Sequence, residues 1–369
     1  MSLRFASVPV SILTGFLGAG KTTLLNRLLK DPDLADTAVI INEFGDVSID
    51  HLLVETASDG IIELSDGCLC CTVRGELVDT LADLMDRMQT GKIKPLQRVI
   101  VETTGLADPA PVLQSVIGNP VISDCYRLDG VVTVVDAVNG FATLDRHAEA
   151  VRQVAVADRI VLTKQTLANA EAVAALTARL AQLNPRAPLI DGDSAQAGSA
   201  TLFDCGLYDP STKTADVSRW LQDEDDYEQH HHHHGHHHHD VNRHDGNIRS
   251  FSIVHDKPIE PMALDMFIDL LRSAHGEKLL RMKAIVALTD KPDSPMILHG
   301  VQTIFHTPQR LGAWPDASDK RTRMVLITQD LPETFVRDLF DAFTGKPRID
   351  RPDRAALEDN PLAVPGMKF

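Results

Sequence analysis

Two short stretches hold most of the groups that could do chemistry. Gly15-Phe16-Leu17-Gly18-Ala19-Gly20-Lys21-Thr22 has the spacing G-x-x-x-x-G-K-S/T of a phosphate-binding loop. Glycines at these positions let the backbone bend until successive N–H groups converge on phosphate oxygens. Lys21 is placed to reach the β- and γ-phosphates, and the Thr22 hydroxyl can ligate Mg²⁺. Residues 8–13 read as a buried strand entering the loop, and the run from Thr23 to residue 29 as a helix leaving it. That helix N-terminus adds its dipole to the anion site. With every motif position filled in this context, a chance glycine-rich turn is a poor account, and the stretch reads as a nucleoside triphosphate site.

The second stretch is Gly67-Cys68-Leu69-Cys70-Cys71-Thr72. Three soft thiolate ligands this close together suit zinc, Cu(I) or another thiophilic ion. A strand would send Cys71 to the face opposite Cys68 and Cys70, so convergence needs a turn. Three sulfurs leave a tetrahedral metal one ligand short, a place for another side chain, water or a recipient protein. Buried cysteines acting as small hydrophobes, or thiol redox chemistry, are the competing readings.

Carboxylates accompany both stretches. Glu43 and Asp46, in Asn42-Glu43-Phe44-Gly45-Asp46, could ligate Mg²⁺, position water or complete a cysteine metal site; taken alone they read as two loop carboxylates. Glu102, in Val101-Glu102-Thr103-Thr104-Gly105, ends an expected strand beside the γ-phosphate position, where an acidic residue assists Mg²⁺ and a glycine senses phosphate. Asp136 reads equally as an edge-of-site residue or a strand-end cap.

The elements needed to position these residues are legible in outline. Strands are expected at 38–42, 98–102, 130–136, 159–163 and 188–191, with helices at 76–88, 111–117 and 169–182. This alternation implies an α/β fold, a mostly parallel sheet covered on both faces, with ligands at the strands' carboxyl ends. Residues 216–247 form an acidic, histidine-rich stretch expected to be a mobile linker. A smaller α+β domain is expected over 248–345, with strands at 249–254, 280–288, 296–306 and 323–328 and helices at 261–273 and 332–343, followed by an extended tail over 346–369.

The chain of 369 residues carries a net charge of −16, which argues against a broad nucleic-acid surface. Neither a signal-type N-terminus nor a bilayer-length apolar run is present, so a cytoplasmic location without membrane attachment is expected, where the five cysteines read as thiolates or metal ligands.

The stretches GFLGAGKTTLLN, INEFGDVSID, GCLCCTV, VIVETTGLADPAPV, LDGVVTVVDA and ADRIVLTK occur in the order and spacing of the CobW-type family of P-loop GTPases, relatives of HypB and UreG, which this chain resembles along nearly its whole length. The resemblance implies a P-loop NTPase domain over 1–215, GTP and Mg²⁺ as ligands, and slow GTP hydrolysis coupled to delivery of Zn²⁺ to a client metalloprotein. Co²⁺ or another divalent metal is the alternative cargo. It implicates Cys68, Cys70 and Cys71 as metal ligands with Glu43 as a partner, and assigns phosphate and Mg²⁺ binding to Gly15, Gly18, Ala19, Gly20, Lys21, Thr22 and Thr23. Lys21, Glu43 and Glu102 take catalytic roles, and Thr163 and Lys164 belong to the base-reading motif. Rival readings are a nucleotide-gated metal buffer or sensor, a cobalt or iron insertase accessory protein, and an NTPase of broader base preference. A homodimer is compatible with all of them.

One position departs from the family. Its base-reading motif N/T-K-x-D here reads Thr163-Lys164-Gln165-Thr166. The missing aspartate accepts guanine N1–H and N2–H together, and losing such a charged hydrogen bond costs roughly 1.5–3 kcal/mol. Asp191 or Asp193 could substitute. The histidines at 230–234 and 236–239 are internal, split and flanked by acids, unlike a purification tag, and suit capture of divalent metal without fixed geometry. His51, His147, His255, His275, His299 and His306 are scattered and read as ordinary surface or core residues.

Overall fold

The computed structural model describes residues 7–41, 61–63, 72–194, 197–203 and 248–345. Strand β1 (Val8–Gly15) is buried along its whole length, as expected for a strand covered on both faces. With it pair β2 (Thr37–Ile41), β3 (Ile61–Glu63), β4 (Arg98–Glu102), β5 (Tyr126–Asp136), β6 (Arg159–Thr163) and β7 (Leu189–Asp191). Among the described residues this sheet has seven parallel strands in the order β3-β2-β4-β1-β5-β6-β7. All carboxyl ends therefore lie along one edge.

Helices cover both faces, with the single-turn helices α4 (Pro120–Ser123) and α8 (Ser199–Leu202) besides the longer ones. Val10 and Ile12 of β1 share a core with Leu77 and Leu81 of α2 (Thr72–Gln89) and Leu113 of α3 (Ala110–Gly118). On the other face Leu13 meets Leu24 and Leu25 of α1 (Lys21–Leu28), whose buried positions 21, 24, 25 and 28 form one helical stripe. Beyond β5, α5 (Gly140–Arg146), α6 (Ala148–Ala155) and α7 (Ala170–Leu183) close the sheet, with the Asn169 side chain capping α7 through the Ala172 N–H at 2.7 Å. A buried polar knot ties the three central strands. Asp129 accepts from Ser11 at 2.6 Å and from Arg98 at 2.5 Å, so the buried guanidinium is paired.

The C-terminal part is a separate sheet of β8 (Ile248–His255), β9 (Leu279–Val286), β10 (Met296–Val301), β11 (Ile304–Phe305), β12 (Gln309–Arg310) and β13 (Thr322–Gln329). Its order is β11-β10-β9-β13-β8, with β12 pairing β10, and its pairs are antiparallel. Two helices, α9 (Pro261–His275) and α10 (Glu333–Phe343), cover one face, where Phe267 and Phe340 meet edge to face at 5.3 Å. Strand alternation then sorts the neighbours of β9: Met282 and Ala284 join that core, whereas Arg281 and Lys283 reach the first sheet.

There both cations meet Asp158, the residue before β6. Arg281 lies 2.6 Å from its Oδ2, Lys283 engages Oδ1, and the Val131 N–H donates at 2.8 Å. Burial would raise this carboxyl, but the two adjacent cations hold it well below the usual carboxylate range. His299, opposite Lys283 in the sheet, is pushed well below the usual imidazole value by burial and by the same two cations. The junction continues through Val301 and Ile327, which share an apolar cluster with Val116 and Ile117 of α3, and through a 2.7 Å bond from Gln114 to Gln302.

Three expectations need correction. The run 296–306 is a hairpin, not one strand: Gln302 takes φ +54° and turns the chain, so Val301 pairs with Ile304. The five expected parallel strands after β1 also omit the short edge strand Ile61–Glu63, and β5 starts four residues earlier than expected, at Tyr126. No helix among the described residues is long and apolar enough to cross a membrane.

Candidate nucleotide-binding site

The carboxyl end of β1 turns into the glycine loop under a strict spatial limit. A Cβ on Gly15, at φ +143°, would sit 2.3 Å from the Val134 carbonyl oxygen of neighbouring β5. Gly18 and Gly20 also have positive φ, and Gly20 leads into α1 without a side-chain cap. The first-turn N–H groups of α1 are thus left to an anion. Lys21 is buried, and its Nζ donates to the carbonyls of Gly15 at 3.0 Å and Phe16 at 3.4 Å, folded over the loop it belongs to.

Strand β4 lies beside β1, with Glu102 in register with Leu13. This delivers Glu102 Oε1 to 2.9 Å from the Thr22 hydroxyl. Past Glu102, Thr103 bonds Thr14 at 2.8 Å, and the Thr104 hydroxyl is buried without a hydrogen-bond partner among the described residues. Gly105 then presses on the phosphate loop so closely that a Cβ there would be 2.4 Å from the Leu17 nitrogen. Gln153 of α6 braces this segment from behind, donating to the carbonyls of Gly105 at 3.2 Å and Ala107 at 3.0 Å. Asp108 caps the start of α3 through the Ala110 N–H at 2.9 Å and pairs with Arg152 at 3.2 Å.

On the other side of the loop, Thr163 donates to the Ala19 carbonyl at 2.7 Å. Lys164, in the left-handed region at φ +58°, donates to Gly18 O at 2.7 Å and to Asp136 Oδ2 at 2.8 Å. Asp136 caps the Val138 N–H at 2.7 Å, the strand-end role its position allowed, and also pairs with Lys164. Partial burial would raise its carboxyl, but the bonds from Lys164, Asn139 and Val138 outweigh this and lower it. Arg27 ties α1 to the loop after β7, donating to Gly192 O at 2.6 Å and Ala197 O at 3.1 Å.

Gly15, Gly18, Ala19, Gly20, Lys21, Thr22, Glu102, Thr163 and Lys164 therefore sit together at one sheet edge, with Thr23 exposed on α1. Glu43, Asp46, Cys68, Cys70 and Cys71, the histidines at 230–234 and 236–239, and the tail 346–369 lie outside the described residues. Among the described residues no group of three or more His, Cys, Asp or Glu could hold a metal ion. Sequence reasoning missed Gln153 and Arg27, which no local motif marks.

Residues 9–191 match the model of the CobW/HypB/UreG nucleotide-binding domain, and residues 248–344 that of the cobalamin synthesis protein cobW C-terminal domain. The chain is 32% identical to the zinc chaperone YjiA of Escherichia coli, over 90% of this chain and 98% of that protein. It belongs to the CobW family. A second CobW relative, the zinc chaperone CobW of Sinorhizobium sp., is 30% identical over 89% of this chain and 95% of its own length. The crystal structure of Zn(II)-bound YjiA GTPase from E. coli superposes with a TM-score of 0.64 at 28% identity, covering 92% of this chain and 99% of that one. Both the P-loop sheet and the antiparallel C-terminal sheet are thus those of the CobW fold.

Proposed function

We propose that this chain is a GTP-dependent metallochaperone that holds zinc, or a similar divalent metal, and couples GTP hydrolysis to its transfer to a client metalloprotein in the cytoplasm. The observation that carries the nucleotide half is the Thr22–Glu102 pair beneath a glycine loop closed by Lys21, with Gly105 packed on that loop. The metal half is supported by whole-length similarity to proteins named zinc chaperones and by three cysteines between β3 and α2.

The donor set fits Mg²⁺, which takes hard oxygens such as the Thr22 hydroxyl and the Glu102 carboxylate; bound there, it neutralises charge on the β- and γ-phosphate oxygens. The Thr104 hydroxyl, without a partner among the described residues, is a further group for a phosphate or its water shell. Lys21 exchanges its carbonyl contacts for phosphate oxygens. Residues 43–46 and 103–109 close around the γ-phosphate and draw Cys68, Cys70 and Cys71 together as thiolates, with Glu43 as an additional ligand. Loss of the γ-phosphate relaxes both segments and frees zinc for the client. The division of the chain that goes with this reading is a GTPase domain over 1–215, a linker over 216–247, a C-terminal domain over 248–345 and a tail.

The test is zinc affinity under reducing conditions for the wild type and for a chain carrying Cys68→Ser, Cys70→Ser and Cys71→Ser together. The tight site is expected to disappear, leaving weaker binding on the histidine run. Survival of tight binding overturns the cysteine assignment.

A further inference from the structure

Thr166 leaves the base-reading loop without the carboxylate that distinguishes guanine. We infer that Asp193, on the loop after β7, supplies that carboxylate from the neighbouring strand, so that guanine selectivity resides in a residue outside the usual motif. The inference rests on the GTP reading above and names the group that selects the base.

The lysine half of the motif is in place, because Lys164 is clamped between Gly18 O and Asp136. What is missing is an acceptor beside it. Strand β7 runs parallel to β6, so its carboxyl end emerges next to Thr163 and Lys164. The approach is close: a Cβ on Gly192 would be 3.0 Å from Thr163 Cγ2 and from Leu162 O, so the loop lies directly on the motif. Asp193 Oδ2 accepts the Gln165 N–H at 3.0 Å. This holds its carboxylate on the 165–167 turn, bonded to the residue that precedes Thr166. The side chain is exposed, and Oδ1 accepts from no described residue.

Asp191 does a different job. Its Oδ1 is engaged twice, by Gln165 Nε2 at 2.7 Å and by the Asp193 N–H at 3.0 Å, so it orients both residues. Arg27 fixes the same loop through Gly192 O. Asp193 is thus a carboxylate held by a backbone donor and a braced loop, with acceptor capacity to spare for the paired N1–H and N2–H of guanine. Adenine offers no such pair. Xanthine has a carbonyl where guanine has its amino group, so an amide side chain matches it better than a carboxylate.

The test is equilibrium binding of GTP, ATP and xanthosine triphosphate, with Mg²⁺, to the full chain and its variants. Asp193→Asn should weaken GTP by about tenfold to a hundredfold and strengthen the xanthine nucleotide. Adding Thr166→Asp to that variant should restore GTP preference, which also shows that the variant remains folded. Asp191→Asn should weaken GTP without creating xanthine binding. Unchanged GTP preference in Asp193→Asn, or equal binding of GTP and ATP by the wild type, overturns this assignment and leaves the phosphate-loop reading standing. Failure of the wild type to bind any of the three overturns both.

Discussion

Replacing Gly105 by alanine tests the contact between the segment after β4 and the glycine loop, the side on which the proposed site takes the γ-phosphate. The new Cβ would lie 2.4 Å from the Leu17 nitrogen and 2.7 Å from its Cα, and these are backbone atoms that no rotamer change removes. The 105–107 segment must therefore retreat by roughly 1 Å, a displacement of the size that costs on the order of a hundredfold in rate when reacting groups are misplaced. In activation terms this is about 2.7 kcal/mol. Retreat also strains the two bonds by which Gln153 holds Gly105 and Ala107. With the retreat taken up by 105–107, the loop at residues 15–22 keeps its backbone path outside the Leu17 contact, so GDP affinity should change only a few-fold. Single-turnover GTP hydrolysis and GDP binding, with thermal unfolding as the check on folding, separate the effects. A variant that hydrolyses GTP at the wild-type rate refutes the claim that this close contact sets the catalytic geometry.

The domain junction gives two further expectations. Asp158→Ala removes the carboxylate shared by Arg281 and Lys283, and taking one partner from this buried ion pair should cost about 3–5 kcal/mol in denaturant unfolding; a loss under about 1 kcal/mol contradicts the assigned pairing. Because the folded Asp158 carboxyl is held below its unfolded value, its stabilisation is full above about pH 3.9 and is lost as pH falls below that. The stability gap between the wild type and Asp158→Ala should accordingly narrow between pH 6 and pH 3, and a gap that widens there contradicts the ion-pair account.

How much the sequence reveals depends on how local each interaction is. The glycine loop, Lys21 and Thr22 are contiguous, and the apolar run ending in Glu102 advertises a strand whose end falls beside them. Gln153 reaches Gly105 across 48 residues and Arg281 reaches Asp158 across 123, contacts no spacing rule anticipates. The β10–β11 turn is hidden because its own two positions, Gln302 and Thr303, hold no glycine, asparagine or proline, and Gln302 takes the left-handed conformation all the same. Ile61–Glu63 is too short to show alternation. Thr166 is the instructive position. The sequence exposes the missing carboxylate at once, but choosing between Asp191 and Asp193 requires their hydrogen bonds: Asp191 is engaged by Gln165 Nε2 and the Asp193 N–H, whereas Asp193 is held by the Gln165 N–H.

The most direct test of the account is zinc affinity of the reduced full chain with and without a non-hydrolysable GTP analogue and Mg²⁺. If nucleotide and metal share one conformational switch, the analogue tightens zinc binding, and zinc tightens analogue binding by the same factor. Typical couplings of this kind are about fivefold to 150-fold. Identical zinc affinities in the two conditions contradict the claim that the phosphate loop controls the metal site.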